Sequence, residues 1–73
     1  MVSEEQFLKE FKELLATKQE ISMDTDLLEI DVWDSYSAVS FLAMIEEKYG
    51  IKAEPFAVAE AVFVEDLYRI IEE

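Results

Sequence analysis

The scarcity of helix-breaking residues constrains this sequence more than any other feature. The 73 residues include only one glycine, Gly50, and one proline, Pro55, and these two lie close together. A chain of this length forms one small domain with a modest core, and without cysteine it has no disulfide to stabilise it. Apolar residues make up 52% of the sequence. We therefore expect a single all-α domain over residues 1–73, stabilised by helix packing.

The first two main helices are predicted from apolar spacing and capping signals. Gln6 follows Ser3 by three residues, a capping-box pattern that starts a helix over Ser3 to Ala16. Its buried stripe should consist of Phe7, Leu8, Phe11, Leu14 and Leu15. The second helix is predicted over Ser35 to Tyr49, with Asp34 as its N-cap and Gly50 as a left-handed ending.

The rest of the chain predicts one short helix, one main helix and one long connection. The short helix is expected over Phe56 to Ala61, and the last main helix over Val64 to Glu72, with Leu67, Ile70 and Ile71 facing inward. The connection from Thr17 to Asp34 interleaves acids with apolar residues, so we expect it to pack onto the helices. The sum is a bundle of three main helices plus one short helix.

Metal sites are not expected. The chain has no histidine and no cysteine, which leaves no typical zinc ligands. The pair Asp24 and Asp26 resembles the start of a calcium loop, but Leu28 and Glu29 occupy the positions that would need an oxygen ligand and a glycine.

The charge distribution bears on partners. The net charge is −12, and no Lys or Arg occurs from Gln19 through Glu47, which argues against nucleic-acid binding. The acidity either attracts partners with basic surfaces or only confers solubility. No segment resembles a signal peptide or a membrane span, so we expect a cytoplasmic protein, and we expect it to be a monomer.

The second predicted helix carries apolar residues on two faces. The first face, expected to enter the core, consists of Ala38, Phe41, Leu42, Ile45 and Tyr49. The opposite face consists of Tyr36, Val39, Ser40, Ala43, Glu46 and Glu47. We interpret this second face as a docking surface for partners with apolar grooves and basic edges. The alternative is that these residues pack under the acidic connection.

Ser35 is predicted at the start of this helix, directly after Asp34. Backbone N–H groups without partners and the positive end of the helix dipole would favour a phosphate ester on its hydroxyl. Serine is also a favoured N-cap residue, so the residue types alone favour a capping role over an attachment site.

The stretch from Asp34 to Ile51, DSYSAVSFLAMIEEKYGI, resembles the acyl carrier protein family. It is similar to that family's Asp-Ser-Leu signature, its apolar helix and the closing Glu-Glu-x-aromatic-Gly-Ile. The ending Val64-Glu65-Asp66-Leu67 is similar to the family's Val-Gly-Asp-Leu turn. The resemblance implies a covalent 4'-phosphopantetheine arm on Ser35, and a role for Asp34 in recognition by a phosphopantetheinyl transferase.

The resemblance also implies a non-catalytic carrier that presents acyl or aminoacyl thioesters to loading enzymes with basic docking surfaces. By analogy with the family, a cargo pocket is expected near Phe41, Leu42, Ile45, Phe56, Ala57 and Val62. The absence of histidine and cysteine agrees with the lack of catalysis. The alternative function is an acidic helical interaction module without a prosthetic group.

Four positions depart from the family's usual pattern. Tyr36 stands where the family usually has Leu, and Trp33 stands where Gly is common. Ser40 stands where primary fatty-acid carriers usually have Glu. Phe63 stands where the family often has Thr, and the loss of that Thr removes a helix cap. With Trp33 and Ser40 at these positions, the sequence resembles carriers that serve specialised lipid, polysaccharide or secondary-metabolite pathways.

Overall fold

The computed structural model describes residues 2–72 and has the expected all-α architecture. Its elements are α1 (Glu4–Leu15), a 3₁₀ turn (Leu27–Glu29), α2 (Ser35–Tyr49), α3 (Pro55–Ala59) and α4 (Val64–Glu72). The bundle measures 27 × 24 × 19 Å along its principal axes. Three main helices and one short helix are therefore confirmed. Within residues 2–72, none of the helices is long and apolar enough to cross a membrane.

The ends of α1 follow from its sequence. The Ser3 hydroxyl accepts a hydrogen bond from the Gln6 backbone N–H at 3.1 Å, as the capping pattern predicts. The Gln6 side chain donates to Glu10 instead of turning back to Ser3, so only half of the capping box forms. Ala16 ends the helix in a left-handed conformation with φ 52°, one residue earlier than expected.

Aromatic rings from α1 and α2 form the centre of the core. The Phe7 and Phe11 rings lie 5.7 Å apart, and Phe41 packs edge-on to both at 6.2 and 5.9 Å. Trp33, from the connection, lies 5.6 Å from the ring of Phe11. The long connection therefore contributes to the core, as its apolar residues predict.

Burial differs from the prediction at several positions. Phe7, Phe11 and Leu15 are buried, whereas Leu8 and Leu14 are only partly buried. In α2 the predicted residues Ala38, Leu42 and Tyr49 are partly buried, and in α4 the same holds for Ile70. Met44 and Tyr68 are buried although the sequence analysis did not place them in the core.

The long connection is attached to the start of α4 through its backbone. The N–H groups of Val64 and Glu65 donate to the carbonyls of Thr25 and Met23 at 3.0 and 2.9 Å. These loop carbonyls sit at the helix N-terminus, where N–H groups lack intrahelical partners. Leu27 N–H donates to the Val62 carbonyl at 2.9 Å, which ties the 3₁₀ turn to the same place.

Asp66 binds the backbone just before α4, at the place where Phe63 stands in the position of the family's usual threonine. Its Oδ2 accepts hydrogen bonds from the N–H groups of Val62 and Phe63, both at 3.0 Å. These two bonds, chiefly that from Phe63, hold the pKa of Asp66 below its usual range. Asp66 therefore joins residues 62 and 63 to the first turn of α4, while the first N–H groups of the helix donate to backbone carbonyls.

Two short elements differ from the prediction. The 3₁₀ turn was not expected, and its N-cap is Asp26, whose side chain accepts from the Leu28 N–H at 2.8 Å. Helix α3 covers Pro55–Ala59 instead of Phe56 to Ala61. It begins one residue earlier than predicted because a proline at the first helical position has no N–H that needs a partner, and it ends two residues earlier.

Candidate functional site: a serine at the start of α2

Asp34 is the N-cap of α2, so the Ser35 hydroxyl does not cap this helix. The Asp34 side chain accepts a hydrogen bond from the Ser37 N–H at 2.8 Å, as predicted. The Ser37 hydroxyl donates to the Val32 carbonyl at 2.6 Å. Ser35 is exposed, and over residues 2–72 no hydrogen bond joins its Oγ to another residue. The capping role considered for Ser35 is therefore taken by its neighbour.

The electrostatics around Ser35 combine a fixed carboxylate with a helix N-terminus. The hydrogen bond from the Ser37 N–H lowers the pKa of Asp34, so this carboxyl is ionised at neutral pH. Ala38 N–H donates to the Asp34 carbonyl at 3.0 Å and begins the helical bonding. The Ser35 hydroxyl thus lies at the positive end of the α2 dipole.

Ser35 also lies on the wall of an apolar cleft, which we name the Ser35 cleft. It has a volume of about 480 Å³, within the range of small-molecule sites. The connection, α2 and the region of α3 all contribute to its lining: Asp26, Leu27, Leu28, Trp33, Asp34, Ser35, Ala38, Val39, Leu42, Pro55, Val58, Ala59, Ala61 and Val62. The two charged residues of this lining are both acidic.

The predicted cargo pocket agrees only in part with the Ser35 cleft. Leu42 and Val62 line the Ser35 cleft, but Phe41 and Ile45 are fully buried in the core. Phe56 is 66% exposed, and Ala57 faces a separate depression beside Ile51 and Ile70. The cleft lies nearer the start of α2 than expected, since its lining from that helix is Ser35, Ala38, Val39 and Leu42.

The predicted docking face of α2 is mostly exposed. Tyr36 and Val39 are 80% and 64% exposed, so they do not pack under the acidic connection. Ala43, Glu46 and Glu47 are also exposed, whereas Ser40 is partly buried.

The face divides between two depressions. Val39 lines the Ser35 cleft, while Tyr36 and Ser40 line a second depression, which we name the α1–α2 groove. The groove is completed by the end of α1 and the connection, and its full lining is Leu14, Leu15, Asp31, Val32, Asp34, Tyr36, Ser37 and Ser40. Asp34 lines both depressions. No local sequence pattern predicts this groove, because it depends on how α1 packs against α2.

The paired aspartates of the connection have local structural roles. Asp26 caps the 3₁₀ turn, and Asp24 accepts a hydrogen bond from the Ser22 hydroxyl. Across residues 2–72, no group of three or more His, Cys, Asp or Glu side chains is arranged to hold a metal ion.

A four-helix bundle with an exposed serine at the start of its second main helix, beside an apolar cleft, has the arrangement of a small carrier domain. Comparison with protein families gives the same answer. The model of the family described as a phosphopantetheine attachment site matches residues 5–71. The chain belongs to this family, whose domains carry 4'-phosphopantetheine covalently on a serine. A search of curated proteins and a search of solved structures found no match.

The geometry at Ser35 is compatible with such a group. The hydroxyl is exposed and has no hydrogen-bond partner among the described residues, and the helix N-terminus favours an attached phosphate. The adjoining cleft offers apolar surface along which a flexible arm can lie.

Proposed function

We propose that the protein is an acyl carrier protein and that Ser35 is its attachment residue. The observation that carries this proposal is the difference between Ser35 and its neighbours. Asp34 and Ser37 are both engaged in local hydrogen bonds that shape the helix start. The Ser35 hydroxyl stays exposed on the wall of a cleft, where a transferring enzyme can reach it.

The chain's own residues position the hydroxyl but do not activate it. Asp34 is the nearest carboxylate in sequence, and its lowered pKa makes it a weak proton acceptor at neutral pH. The phosphopantetheinyl transferase must therefore supply the group that removes the serine proton. Asp34 instead offers a fixed negative charge that a basic transferase surface recognises.

The 4'-phosphopantetheine arm supplies a thiol that carries acyl or aminoacyl groups as thioesters. The chain itself has no catalytic role and presents the loaded arm to partner enzymes. We place the contact surface for these enzymes on Tyr36, Val39, Ser40, Ala43, Glu46 and Glu47. Trp33 and Ser40 favour a specialised lipid, polysaccharide or secondary-metabolite pathway. We further propose that the protein acts as a cytoplasmic monomer consisting of one carrier domain.

The test is intact mass after incubation with coenzyme A and a broad-specificity transferase. We expect the wild-type chain to gain the mass of one phosphopantetheinyl group, and Ser35→Ala to gain none. Ser37→Ala is the matched control, because it removes a hydroxyl two positions away that already has a partner. It should still be loaded, although a lost local hydrogen bond lowers its stability by about 1 kcal/mol.

Three results would contradict the proposal. A folded wild-type chain that gains no mass would indicate an acidic interaction module without a prosthetic group. A mass gain that persists in Ser35→Ala would move the attachment to another residue. Loss of loading in Ser37→Ala together with full loading of Ser35→Ala would assign the attachment to Ser37.

A further inference from the structure

The lining of the Ser35 cleft restricts the chemistry of the cargo that this cleft can hold. Leu27 and Val58 line it and are each only 2% exposed, so they form a floor between the cleft and the core. Trp33 also lines the cleft, and its ring is held against that of Phe11 at 5.6 Å. A group that enters the cleft therefore meets a shallow apolar floor and an aromatic wall.

The charged side chains of the cleft have one sign. Among residues 2–72, the charged residues that line it are Asp26 and Asp34. Between residues 26 and 62 the sequence has two bases, Lys48 and Lys52. Lys48 lies 3.9 Å from Glu10 of α1, and Lys52 lines a separate depression formed with α4. Neither base lines the cleft, so a cation that arrives with the cargo would complement its acids.

Asp26 is the acid that a bound cargo would cover. Asp34 is adjacent to the attachment residue, so the start of the arm lies beside it, whereas Asp26 lies on the wall from the connection. Asp26 is half-buried, and its Oδ1 accepts a hydrogen bond from the Leu28 N–H at 2.8 Å. An apolar chain over this carboxylate would remove it further from water without a new partner, which costs free energy. An anionic cargo would add repulsion, whereas an ammonium group would donate a charge-assisted hydrogen bond to the other oxygen, Oδ2.

We propose that the cargo held in the Ser35 cleft is an aminoacyl group, whose ammonium pairs with Asp26 while its short apolar part lies against Trp33. This inference rests on the proposed function, because it requires an arm on Ser35. The face of an indole ring also attracts cations, so Trp33 and Asp26 favour cargo of the same charge. The arm starts on the wall of the cleft and takes part of its volume of about 480 Å³, which favours a short cargo over a long acyl chain.

The test uses a chain that is loaded chemically, so that it does not depend on a transferase. The sequence has no cysteine, and Ser35→Cys therefore supplies a single thiol at the attachment position. Iodoacetyl derivatives of a pantetheine-like arm alkylate this thiol, with iodide as the leaving group, and hold each cargo through a stable amide in place of the thioester. Ser35 is exposed, so this substitution should not disturb the fold.

Three cargoes of nearly equal size differ in charge. Alanyl carries an ammonium group, isobutyryl carries a methyl group in its place, and methylmalonyl carries a carboxylate. All three keep one methyl group on the same carbon, and its proton NMR signal is displaced when it lies over the ring of Trp33, the only tryptophan of the chain. The displacement measures the fraction of cargo in the cleft. We expect the ratio of docked to free alanyl to exceed that of isobutyryl roughly two- to fivefold, as for a partly exposed ion pair, and methylmalonyl to stay mostly outside.

Two further substitutions with the same change in net charge test the role of Asp26 in the loaded chain. Asp26→Asn keeps an oxygen that can accept from the Leu28 N–H, so the 3₁₀ turn should remain. Asp24→Asn alters an exposed acid two residues away that does not line the cleft. We expect the preference for alanyl over isobutyryl to vanish in Asp26→Asn and to persist in Asp24→Asn.

The cargo proposal is overturned if isobutyryl or methylmalonyl occupies the cleft as well as alanyl does, or if none of the three displaces its methyl signal. Equal losses of the preference in Asp24→Asn and Asp26→Asn would also overturn it, because the overall charge would then decide. Failure of a transferase to load Ser35 would instead contradict the attachment proposal, since the chemically loaded chain still reports the preference for cargo.

Discussion

Helices α1 and α4 differ from the segment between residues 26 and 63 in what they expose. Neither α1 nor α4 leaves a large apolar side chain exposed over the described residues. All seven that are exposed lie in the segment 26–63: Leu28, Val32, Tyr36, Val39, Phe56, Val62 and Phe63. Five of these line the Ser35 cleft or the α1–α2 groove. We call α1 and α4 the supporting pair and residues 26–63 the attachment segment.

The supporting pair has one apolar stripe per helix, whereas α2 has two apolar faces. A helix that serves only the core keeps its other face charged, as α1 does with Lys9 and Glu13. Helix α2 buries Phe41 and Ile45 on one face and still exposes Tyr36 and Val39 on the other. Apolar side chains that stay exposed gain little from folding, so their concentration around Ser35 agrees with the proposed contact surface for partner enzymes.

Core truncation tests this comparison with the largest expected effect. Phe11 is fully buried and packs against Phe7, Phe41 and Trp33. Phe11→Ala should lower the free energy of unfolding by about 3–5 kcal/mol, which is much of the stability of so small a domain. Tyr36→Ala, in the attachment segment, should change it by less than about 0.5 kcal/mol. Urea denaturation followed by circular dichroism measures both values. A large loss from Tyr36→Ala would mean that this side chain serves folding and would remove the contrast.

The sequence predicted the main helices of both regions, including the bounds of α2, better than the short elements and pockets of the attachment segment, and the cause is local. Helix α4 matches its predicted bounds, Val64–Glu72, because an apolar stripe and acids in its first turn are local signals. Helix α1 has a helix cap at Ser3 that could be recognised from spacing alone. The resemblance to the family signature pointed to Ser35 without any structure, and the assignment of the attachment to this residue stays a proposal.

The features that were missed depend on contacts between distant residues. The 3₁₀ turn is held by a hydrogen bond from the Leu27 N–H to the Val62 carbonyl, and no local sequence pattern predicts this contact. Gln19, near the start of the same connection, donates to the Glu29 carbonyl at 2.9 Å and so closes a loop within it. The predicted pocket lay too far along α2, because the walls of the real cleft come from α2, α3 and the connection together. Pockets formed between elements cannot be placed until the packing of those elements is known.

Loss of a partly buried hydrogen bond between the two regions should have the next largest effect. Tyr49, at the end of α2, donates its hydroxyl proton to Glu10 of α1, and Lys48 lies 3.9 Å from the same carboxylate. Tyr49→Phe should lower the free energy of unfolding by about 1–3 kcal/mol at neutral pH, since it leaves a half-buried carboxylate with fewer partners. Tyr36→Phe is the matched control, because its exposed hydroxyl has no such partner among residues 2–72.

The pH dependence of that difference has a defined sign. The Tyr49 hydroxyl lowers the pKa of Glu10, while burial raises the pKa of Tyr49 and keeps it protonated as a donor. A carboxyl with a lowered folded-state pKa contributes stability above its unfolded pKa of about 4.3 and loses it as the pH falls through the folded value. The gap between wild type and Tyr49→Phe should therefore be constant above about pH 5 and shrink in acid. A gap that is independent of pH down to pH 2 would contradict the proposed ionised partner.

Substitutions at the ends of α1 and α2 should have the smallest effects on stability. They test whether the helix end in the supporting pair has less backbone strain than the helix end in the attachment segment. Gly50 ends α2 with φ 68°, and a Cβ added there would meet no atom within 4 Å. Gly50→Ala should therefore cost only the backbone strain of a left-handed alanine, about 1 kcal/mol. Ala16 ends α1 with φ 52° and already bears that strain, so Ala16→Gly should raise stability by about 0.5 kcal/mol after the entropy of the unfolded glycine is subtracted. Opposite shifts of the thermal midpoint in the two variants would place the unrelieved strain in α1. Equal destabilisation by both would mean that the contacts of the Ala16 methyl group, and not its backbone conformation, decide the stability of that helix end.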